Sequence, residues 1–229
     1  MNPKTQRQLI PGPAGLIEIA IDLPEVASET TSPAQGYGVI AHPHPLFGGN
    51  LDNKVVQTLC RAFLQRGVIC IRPHFRGVGQ SEGTHDHGQG EVFDLFAVWE
   101  WAEQHLGAAA RIAFGSKRWA AGFSFGASMT SHVLAGWSQR YATSPLLLDH
   151  APSRAVLVGL PTERFHPAPL DSRCRLIHGE KDEVCSLDGA LRHAGAAGLW
   201  VSTLPEAGHF FHGQLQTLRA MTLEALADA

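Results

Sequence analysis

The segment Gly122-Phe123-Ser124-Phe125-Gly126 directly follows the apolar run Trp119-Ala120-Ala121. Its G-x-S-x-G pattern is typical of a strained turn between a β-strand and an α-helix, in which the hydroxyl of the central serine is exposed. Glycines stand on both sides because a Cβ at either position would clash in so crowded a turn. Downstream, apolar residues recur at helical spacing, at Phe125, Met129, Val133 and Trp137. The segment therefore predicts a strand, a sharp turn at Ser124 and a helix.

A second copy of the same pattern, Gly79-Gln80-Ser81-Glu82-Gly83, lies in a different context. It follows glycine-rich residues rather than a strand, and the polar run Thr84-His85-Asp86-His87 comes after it. Because the chain contains 24 glycines, the bare pattern arises easily by chance. The context therefore selects Ser124 as the turn serine and assigns Ser81 to a loop.

The chain has 229 residues, of which 44% are hydrophobic and 17% charged, and its net charge is −3. These values predict a compact soluble protein, and they favour neither nucleic acid nor a membrane surface as a partner. No run of 18 apolar residues is present, and the first residues do not resemble a signal peptide. The cysteines have no CxxC spacing, which favours reduced thiols and a cytoplasmic location: Cys60, Cys70, Cys174 and Cys185.

Short apolar runs alternate with helical patterns along most of the chain, which predicts βαβ units and a mostly parallel sheet. Strands are expected at residues 16–23, 38–41, 68–71, 119–123, 155–160, 175–178 and 199–204. Helices are expected at residues 54–66, 92–102, 125–140, 187–197 and 215–227, the first of them capped by Asp52 or Asn53. The predicted fold class is α/β, a three-layer α/β/α sandwich. The lack of repeats and linkers predicts one domain over residues 1–229.

A serine hydroxyl is a poor nucleophile near neutral pH, so Ser124 would need a base and a group that orients this base. In such a sheet these partners come from loops at the carboxyl ends of strands, in the order serine, acid, histidine. Asp182 lies in the polar turn after the predicted strand 175–178 and is the first choice for the acid. Glu163, shortly after residue 160, is the second choice, and Glu180 is the third.

The expected histidine is His209, in the segment that follows the predicted strand 199–204. Gly208, directly before it, favours a tight turn that presents the imidazole to the site. His212 is the nearest alternative in a chain with 13 histidines. The sequence thus predicts a catalytic set of Ser124, Asp182 and His209.

A reaction at an acyl carbon also needs N–H donors that stabilise the oxyanion. One donor should be the backbone N–H of Phe125, directly after the serine. The second should lie in the loop 41–49, in which Pro43 and Pro45 have no N–H. Leu46 is the first choice for this second donor, and Phe47 is the alternative.

Five stretches of the sequence together resemble the α/β-hydrolase superfamily from about Gly36 to the last helix. They are the run His42-Pro43-His44-Pro45-Leu46-Phe47-Gly48-Gly49, the run Arg72-Pro73-His74-Phe75-Arg76-Gly77-Val78-Gly79-Gln80-Ser81-Glu82-Gly83, and the segments around Ser124, Asp182 and His209. More narrowly, the chain looks like the small lidless bacterial serine hydrolases related to dienelactone hydrolase. This resemblance implies an eight-stranded, mostly parallel sheet flanked by helices, and ester hydrolysis through an acyl-enzyme. Dienelactone hydrolases use a cysteine where this chain has Ser124, which argues against dienelactone substrates.

The linker that follows the strand 155–160 bears on the substrate. Residues 160–173 are too few for a helical cap domain, which in this superfamily is commonly inserted here. The site should therefore be open, and its walls should be formed by Phe47, Phe165 and Phe210, together with Leu46 and Phe125. Aromatic walls suit an acyl or aryl group of modest size.

Other classes of site fit the sequence less well. The pairs His42/His44 and His85/His87 could ligate a metal ion, but spacing positions no third ligand, so neither a metal nor a cofactor is expected. A dinucleotide site is excluded because the loop after Gly77 lacks the third glycine of G-x-G-x-x-G. The expected activity is hydrolysis of small-molecule carboxylic esters. A thioesterase, a lactone hydrolase or a non-catalytic binding module on the same fold remain alternatives, and a homodimer remains open.

Overall fold

The computed structural model describes residues 4–24, 35–109 and 117–227. The strands of the described part are β1 (Gln6–Gly12), β2 (Gly15–Asp22), β3 (Gly36–Ala41), β4 (Val68–Pro73), β5 (Lys117–Phe123), β6 (Arg154–Val158), β7 (Cys174–Gly179) and β8 (Val201–Leu204). The helices are α1 (Lys54–Gln65), α2 (Gln89–Ala109), α3 (Phe125–Arg140), α4 (Pro145–Asp149), α5 (Leu187–Ala196) and α6 (Leu215–Ala227), and a short 3-10 helix spans Pro45–Phe47.

All eight strands belong to one sheet, in the order β1-β2-β4-β3-β5-β6-β7-β8. The strand β2 pairs antiparallel with both β1 and β4, and every other pair is parallel. The predicted α/β class with an eight-stranded, mostly parallel sheet is therefore confirmed.

Helices cover both faces of the sheet. On one face α1 packs against α6, and Phe63 and Leu218 belong to the same buried apolar cluster. On the other face α2 and α3 meet, and the rings of Trp99 and Trp137 contact each other edge to face at 5.7 Å. Burying each of these large side chains stabilises the fold by roughly 1.5–3 kcal/mol. The two layers of helices hold the sheet in place, and the sheet positions the loops at its edge.

The start of α1 follows the predicted pattern. Asn53 is the N-cap, and its side-chain oxygen accepts a hydrogen bond of 2.9 Å from the N–H of Val55. Such a cap satisfies an N–H group that has no partner within the helix. Of the two capping residues expected from the sequence, the structure selects Asn53.

The strand β1 is an element that the sequence did not predict. It lies at the edge of the sheet and pairs only with β2, and of its residues Ile10 alone is buried. An edge strand with one buried side chain shows no apolar run, because water covers most of its surface. The short helix α4 was likewise not predicted.

The carboxyl ends of the parallel strands lie along one edge of the sheet. The strand β5 is in the centre and runs directly into Ser124, while β7 and β8 are neighbours farther along. Loops that follow these strands therefore meet at this edge, as in other open α/β sheets.

Candidate active site

Ser124 lies in a strained turn between β5 and α3. Its φ and ψ angles are 54° and −123°, outside the regions that residues other than glycine commonly adopt. The Ser124 N–H donates a hydrogen bond of 2.8 Å to the carbonyl oxygen of Val158, at the end of β6. This contact with a neighbouring strand holds the turn in place.

The two glycines of the pattern have specific steric roles. A Cβ on Gly122 would overlap the carbonyl oxygen of Gly126, and a Cβ on Gly126 would overlap the carbonyl oxygen of Ala41, at the end of β3. The start of α3 can thus approach the central strands only because both side chains are absent. Ser124 is 8% exposed and lines a cavity.

Ser81, the serine of the second G-x-S-x-G copy, holds a loop together. Its hydroxyl donates to the carbonyl oxygen of His74 at 2.9 Å and accepts from the N–H of Glu18 at 2.9 Å. The Glu18 carboxylate in turn accepts the N–H of Gln80 at 2.8 Å. A Cβ on Gly79 would overlap the His74 ring. This motif therefore ties the loop after β4 to β2.

Asp182 and His209 form a hydrogen-bonded pair at the carboxyl edge of the sheet. Asp182 lies in the turn after β7, His209 lies in the loop after β8, and Oδ2 of the aspartate is 2.8 Å from Nδ1 of the histidine. The other carboxylate oxygen accepts the N–H groups of Val184 at 2.9 Å and Cys185 at 2.7 Å. Both side chains are almost completely buried.

The charge of Asp182 is stabilised where it is buried. Burial alone would raise the pKa of this carboxyl group, but His209 and the two backbone N–H donors outweigh it and hold the pKa below its usual value. The carboxylate is therefore ionised at neutral pH. Its hydrogen bond places the proton of His209 on Nδ1 and leaves Nε2 as the basic nitrogen.

The ring of His209 lies next to the strand that carries Ser124. Its centroid is 4.8 Å from that of Phe123, and a Cβ on Gly159 would lie 3.2 Å from its Cε1. Ser124 and His209 line the same cavity, which has a volume of about 310 Å³.

The alternative residues considered for the acid and the base are not part of this hydrogen-bonded pair. Glu163 is exposed at the rim of this cavity, and the carboxylate of Glu180 accepts the N–H of Glu206 at 3.0 Å. His212 is exposed. Among the candidates, the structure brings together Asp182 and His209.

Three aromatic residues expected in the walls line the cavity. Phe47 is 79% exposed, Phe210 is 42% exposed, and Phe165 is half-buried. Between β6 and β7 the chain forms neither helix nor strand, so no helical cap is inserted in this connection. The cavity is open on this side.

The two expected oxyanion donors have different surroundings. Phe125 is the first residue of α3, so its N–H has no acceptor within the helix. The N–H of Leu46 donates to Nδ1 of His44 at 3.2 Å, and Leu46 does not line the cavity. The N–H of Phe47 donates to the carbonyl oxygen of His44 at 3.1 Å. The role of Leu46 therefore stays a prediction.

Two histidines of the loop after β3 are structural. In His42, Nε2 accepts the N–H of Phe75 at 3.0 Å and Nδ1 donates to the carbonyl oxygen of Pro43 at 2.6 Å. Complete burial lowers the pKa of His42 to about 3. His44 forms part of the cavity wall, and burial and the nearby His85 lower its pKa to about 4. Both imidazoles are neutral at neutral pH.

Cys185 is a residue of the site that the sequence analysis missed. It lines the same cavity as Ser124 and His209. Burial, together with the charge of Asp182, raises the pKa of this thiol to about 12, so it is protonated. In the described residues, the ligand atoms of Asp182, Cys185 and His209 lie within 4.8 Å of one another. No local spacing in the sequence identifies Cys185.

Within the described ranges, no helix combines the length and apolar composition that crossing a bilayer requires. No protein-family model matches the chain. The uncharacterised protein RP471 of Rickettsia prowazekii is 39% identical over 94 residues, which cover 41% of this chain and 37% of that protein. The match thus spans little more than a third of the length of this relative.

Solved structures match over nearly the whole chain. An α/β serine hydrolase without a lid from Xanthomonas campestris superposes with a TM-score of 0.80 at 28% identity, over 100% of this chain and 96% of that one. An α/β serine hydrolase homologue from Coxiella burnetii gives a TM-score of 0.76 at 32% identity, over 97% of both chains. The esterase Pf2001 of Pyrococcus furiosus, at 14% identity and a TM-score of 0.69 over 98% of this chain and 92% of that one, shares the fold.

These three matches include no protein described as a dienelactone hydrolase, so that narrower relationship stays a prediction. The serine hydrolases among them support hydrolase activity. The fold, the missing cap and the matches over nearly complete chains lead to one conclusion: the chain belongs to the lidless α/β-hydrolase family.

Proposed function

We propose that this protein is a serine hydrolase that cleaves small-molecule carboxylic esters through an acyl-enzyme. One observation carries the proposal: Ser124, in its strained turn, and His209, which is hydrogen-bonded to Asp182, line the same open cavity. Such a serine, base and orienting acid form a recurrent catalytic arrangement.

In the first half of the reaction, Nε2 of His209 accepts the hydroxyl proton of Ser124 as Oγ attacks the carbonyl carbon. The C=O electron pair moves onto oxygen and forms a tetrahedral oxyanion. When the intermediate collapses, the ester C–O bond breaks and His209 gives its proton to the departing alcohol. The acyl group stays bound to Ser124 as an ester.

In the second half, a water molecule attacks the acyl carbon while His209 accepts one of its protons. Collapse of this intermediate releases the carboxylic acid, and the proton returns to Ser124. Asp182 stays ionised throughout, because its role is to hold Nδ1–H of His209 and to stabilise the imidazolium.

The Phe125 N–H is the proposed first oxyanion donor. The proposed second donor is Leu46, whose N–H must exchange its present acceptor, the His44 side chain, for the substrate oxygen. A side-chain acceptor can turn away, whereas the acceptor of the Phe47 N–H is a backbone carbonyl that is fixed in the turn. A donor of this kind contributes roughly 2.7–4 kcal/mol to transition-state stabilisation in other hydrolases.

The aromatic rings around the site support an acyl or aryl group of modest size next to the reacting carbon. The cavity of about 310 Å³ is bordered by the rings of Phe47, Phe165 and Phe210. The net charge of −3 gives no support for a nucleic acid or an anionic membrane as partner.

A panel of p-nitrophenyl esters of increasing acyl length tests the proposal. Wild-type protein should hydrolyse the short esters and react with a fluorophosphonate probe at Ser124, whereas Ser124→Ala should do neither. Ser138→Ala is the matched control, because Ser138 lies on the exposed side of the same helix. Equal hydrolysis by wild type and Ser124→Ala would overturn the mechanism, and a wild type that neither cleaves esters nor takes the label would indicate a binding protein.

A further inference from the structure

A second concave surface lies beside the proposed active site, between α2 and α3. This groove has a volume of about 740 Å³. Its floor is apolar and is formed by Val92, Phe96, Met129 and Gly136. Its rim carries polar side chains, among them His132, Gln139 and Arg140.

Phe165 borders both the groove and the active-site cavity. Its ring lies 5.1 Å from the ring of Phe125 and 5.0 Å from that of His44, measured between centroids. Its backbone is held by Ser128, whose hydroxyl donates to the Phe165 carbonyl at 3.0 Å. Phe165 therefore lies between the two cavities, and a chain that leaves the active-site cavity at this residue reaches the groove.

The groove follows the helix that begins at the nucleophile. Met129, His132 and Gly136 lie on one face of α3, because they are spaced by three and four residues. At 1.5 Å per residue, Gly136 lies about 18 Å from Ser124 along the helix axis. The far end of the groove is thus at a distance from the reacting serine that only a long chain can reach.

The charges along the groove do not favour an ionic ligand. Arg140 is paired with Glu100 at 3.0 Å and lies over the ring of Phe96 at 5.4 Å. Burial lowers the pKa of His132, which favours its neutral form. An apolar floor between paired or neutral polar groups fits a hydrocarbon chain better than a charged group.

We propose that this groove is a distal subsite that binds the alkyl chain of long-chain esters as it leaves the active-site cavity past Phe165. The subsite rests on the ester hydrolysis proposed above. The chain can belong to the acyl group or to the alcohol, since both diverge from the carbon that Ser124 attacks.

Gly136 allows a test that leaves the active-site cavity intact. It does not line that cavity, and a Cβ added to it would meet only the Phe96 ring, at the ordinary contact distance of 3.5 Å. Gly136→Leu should therefore fold and fill the floor of the groove. Gly136→Ala is the matched control. Like Gly136→Leu, it replaces glycine by a residue of higher helix propensity, but it adds only one methyl group to the groove.

The experiment measures kcat/KM of wild type, Gly136→Leu and Gly136→Ala for p-nitrophenyl acetate, octanoate, laurate and palmitate. We expect the kcat/KM of Gly136→Leu for laurate and palmitate to fall about tenfold, because roughly two methylene groups of the chain lose their contact with the groove. Its kcat/KM for acetate should stay at the wild-type value. A parallel series of acetate esters of hexanol, decanol and hexadecanol shows whether the alcohol chain uses the groove instead. The loss should appear in at least one series.

A second variant, Phe165→Ala, removes the wall between the cavities. It should raise the preference for long chains over acetate, since the two cavities then join. An unchanged chain-length profile of Gly136→Leu in both series would overturn the subsite. That result is distinct from a failure of the proposed function, in which wild type would not hydrolyse p-nitrophenyl acetate.

Discussion

Replacing Asp182 by asparagine changes the contacts of one carboxylate oxygen, with His209 and with His178 at 3.4 Å, and preserves the hydrogen bonds of the other. One oxygen of Asp182 accepts the N–H groups of Val184 and Cys185, and the amide oxygen of asparagine can do the same. The amide NH₂ then takes the place of the oxygen that is 2.8 Å from Nδ1 of His209. Because this group donates, the histidine must accept at Nδ1 and carry its proton on Nε2, where it cannot act as the base.

We therefore expect Asp182→Asn to fold normally and to lose about 10⁴-fold in kcat, which corresponds to about 5.4 kcal/mol of activation free energy. The assay is kcat on p-nitrophenyl acetate, combined with the midpoint of urea unfolding. Asp182→Ala should be less stable than Asp182→Asn by roughly 1–3 kcal/mol, because it leaves two backbone N–H groups without an acceptor.

Glu163→Gln is the control, since Glu163 is the exposed acid at the rim of the same cavity. Its kcat should stay within about twofold of wild type, as is usual for an exposed rim charge. The reasoning would be refuted if Asp182→Asn stayed within tenfold of wild type, or if Glu163→Gln caused the larger loss.

Two further predictions concern the turn and the acid sensitivity of the fold. Gly126→Ala should destabilise the protein by about 3 kcal/mol, because its Cβ overlaps the carbonyl oxygen of Ala41; a urea midpoint equal to wild type would contradict the steric role of this glycine. Stability should also fall as the pH is lowered from 7 towards 4. His42 and His44 have folded pKa values of about 3 and 4, below the ordinary 6.5, so in this range the unfolded chain binds protons that the folded protein does not. Urea midpoints measured across this range test the sign, and a flat profile would show that neither imidazole is kept neutral by folding.

The central part of the fold could be predicted from the sequence because its strands are buried on both faces. Strands such as β3 and β4 consist entirely of buried residues, and they appear in the sequence as short apolar runs. The turn at Ser124 could be predicted for a related reason, since Gly122 is required by sterics within the segment itself. The helix α3 has the predicted bounds.

Other features depend on contacts between distant parts of the chain. The edge strand β1 exposes most of its residues, so it leaves no apolar pattern. Cys185 borders the cavity only because the turn after β7 folds back towards Ser124, and no local spacing reveals this. The engagement of the Leu46 N–H by His44 depends on the conformation of one 3-10 helix.

The hydrogen bond from the Ser124 N–H to Val158 has a consequence for folding. The nucleophile turn needs an acceptor that comes from β6, downstream, and space that is provided at the end of β3, far upstream. The turn can therefore form only when β3, β5 and β6 are paired in the sheet. A partly folded chain in which these strands are apart is thus without a preorganised reactive centre.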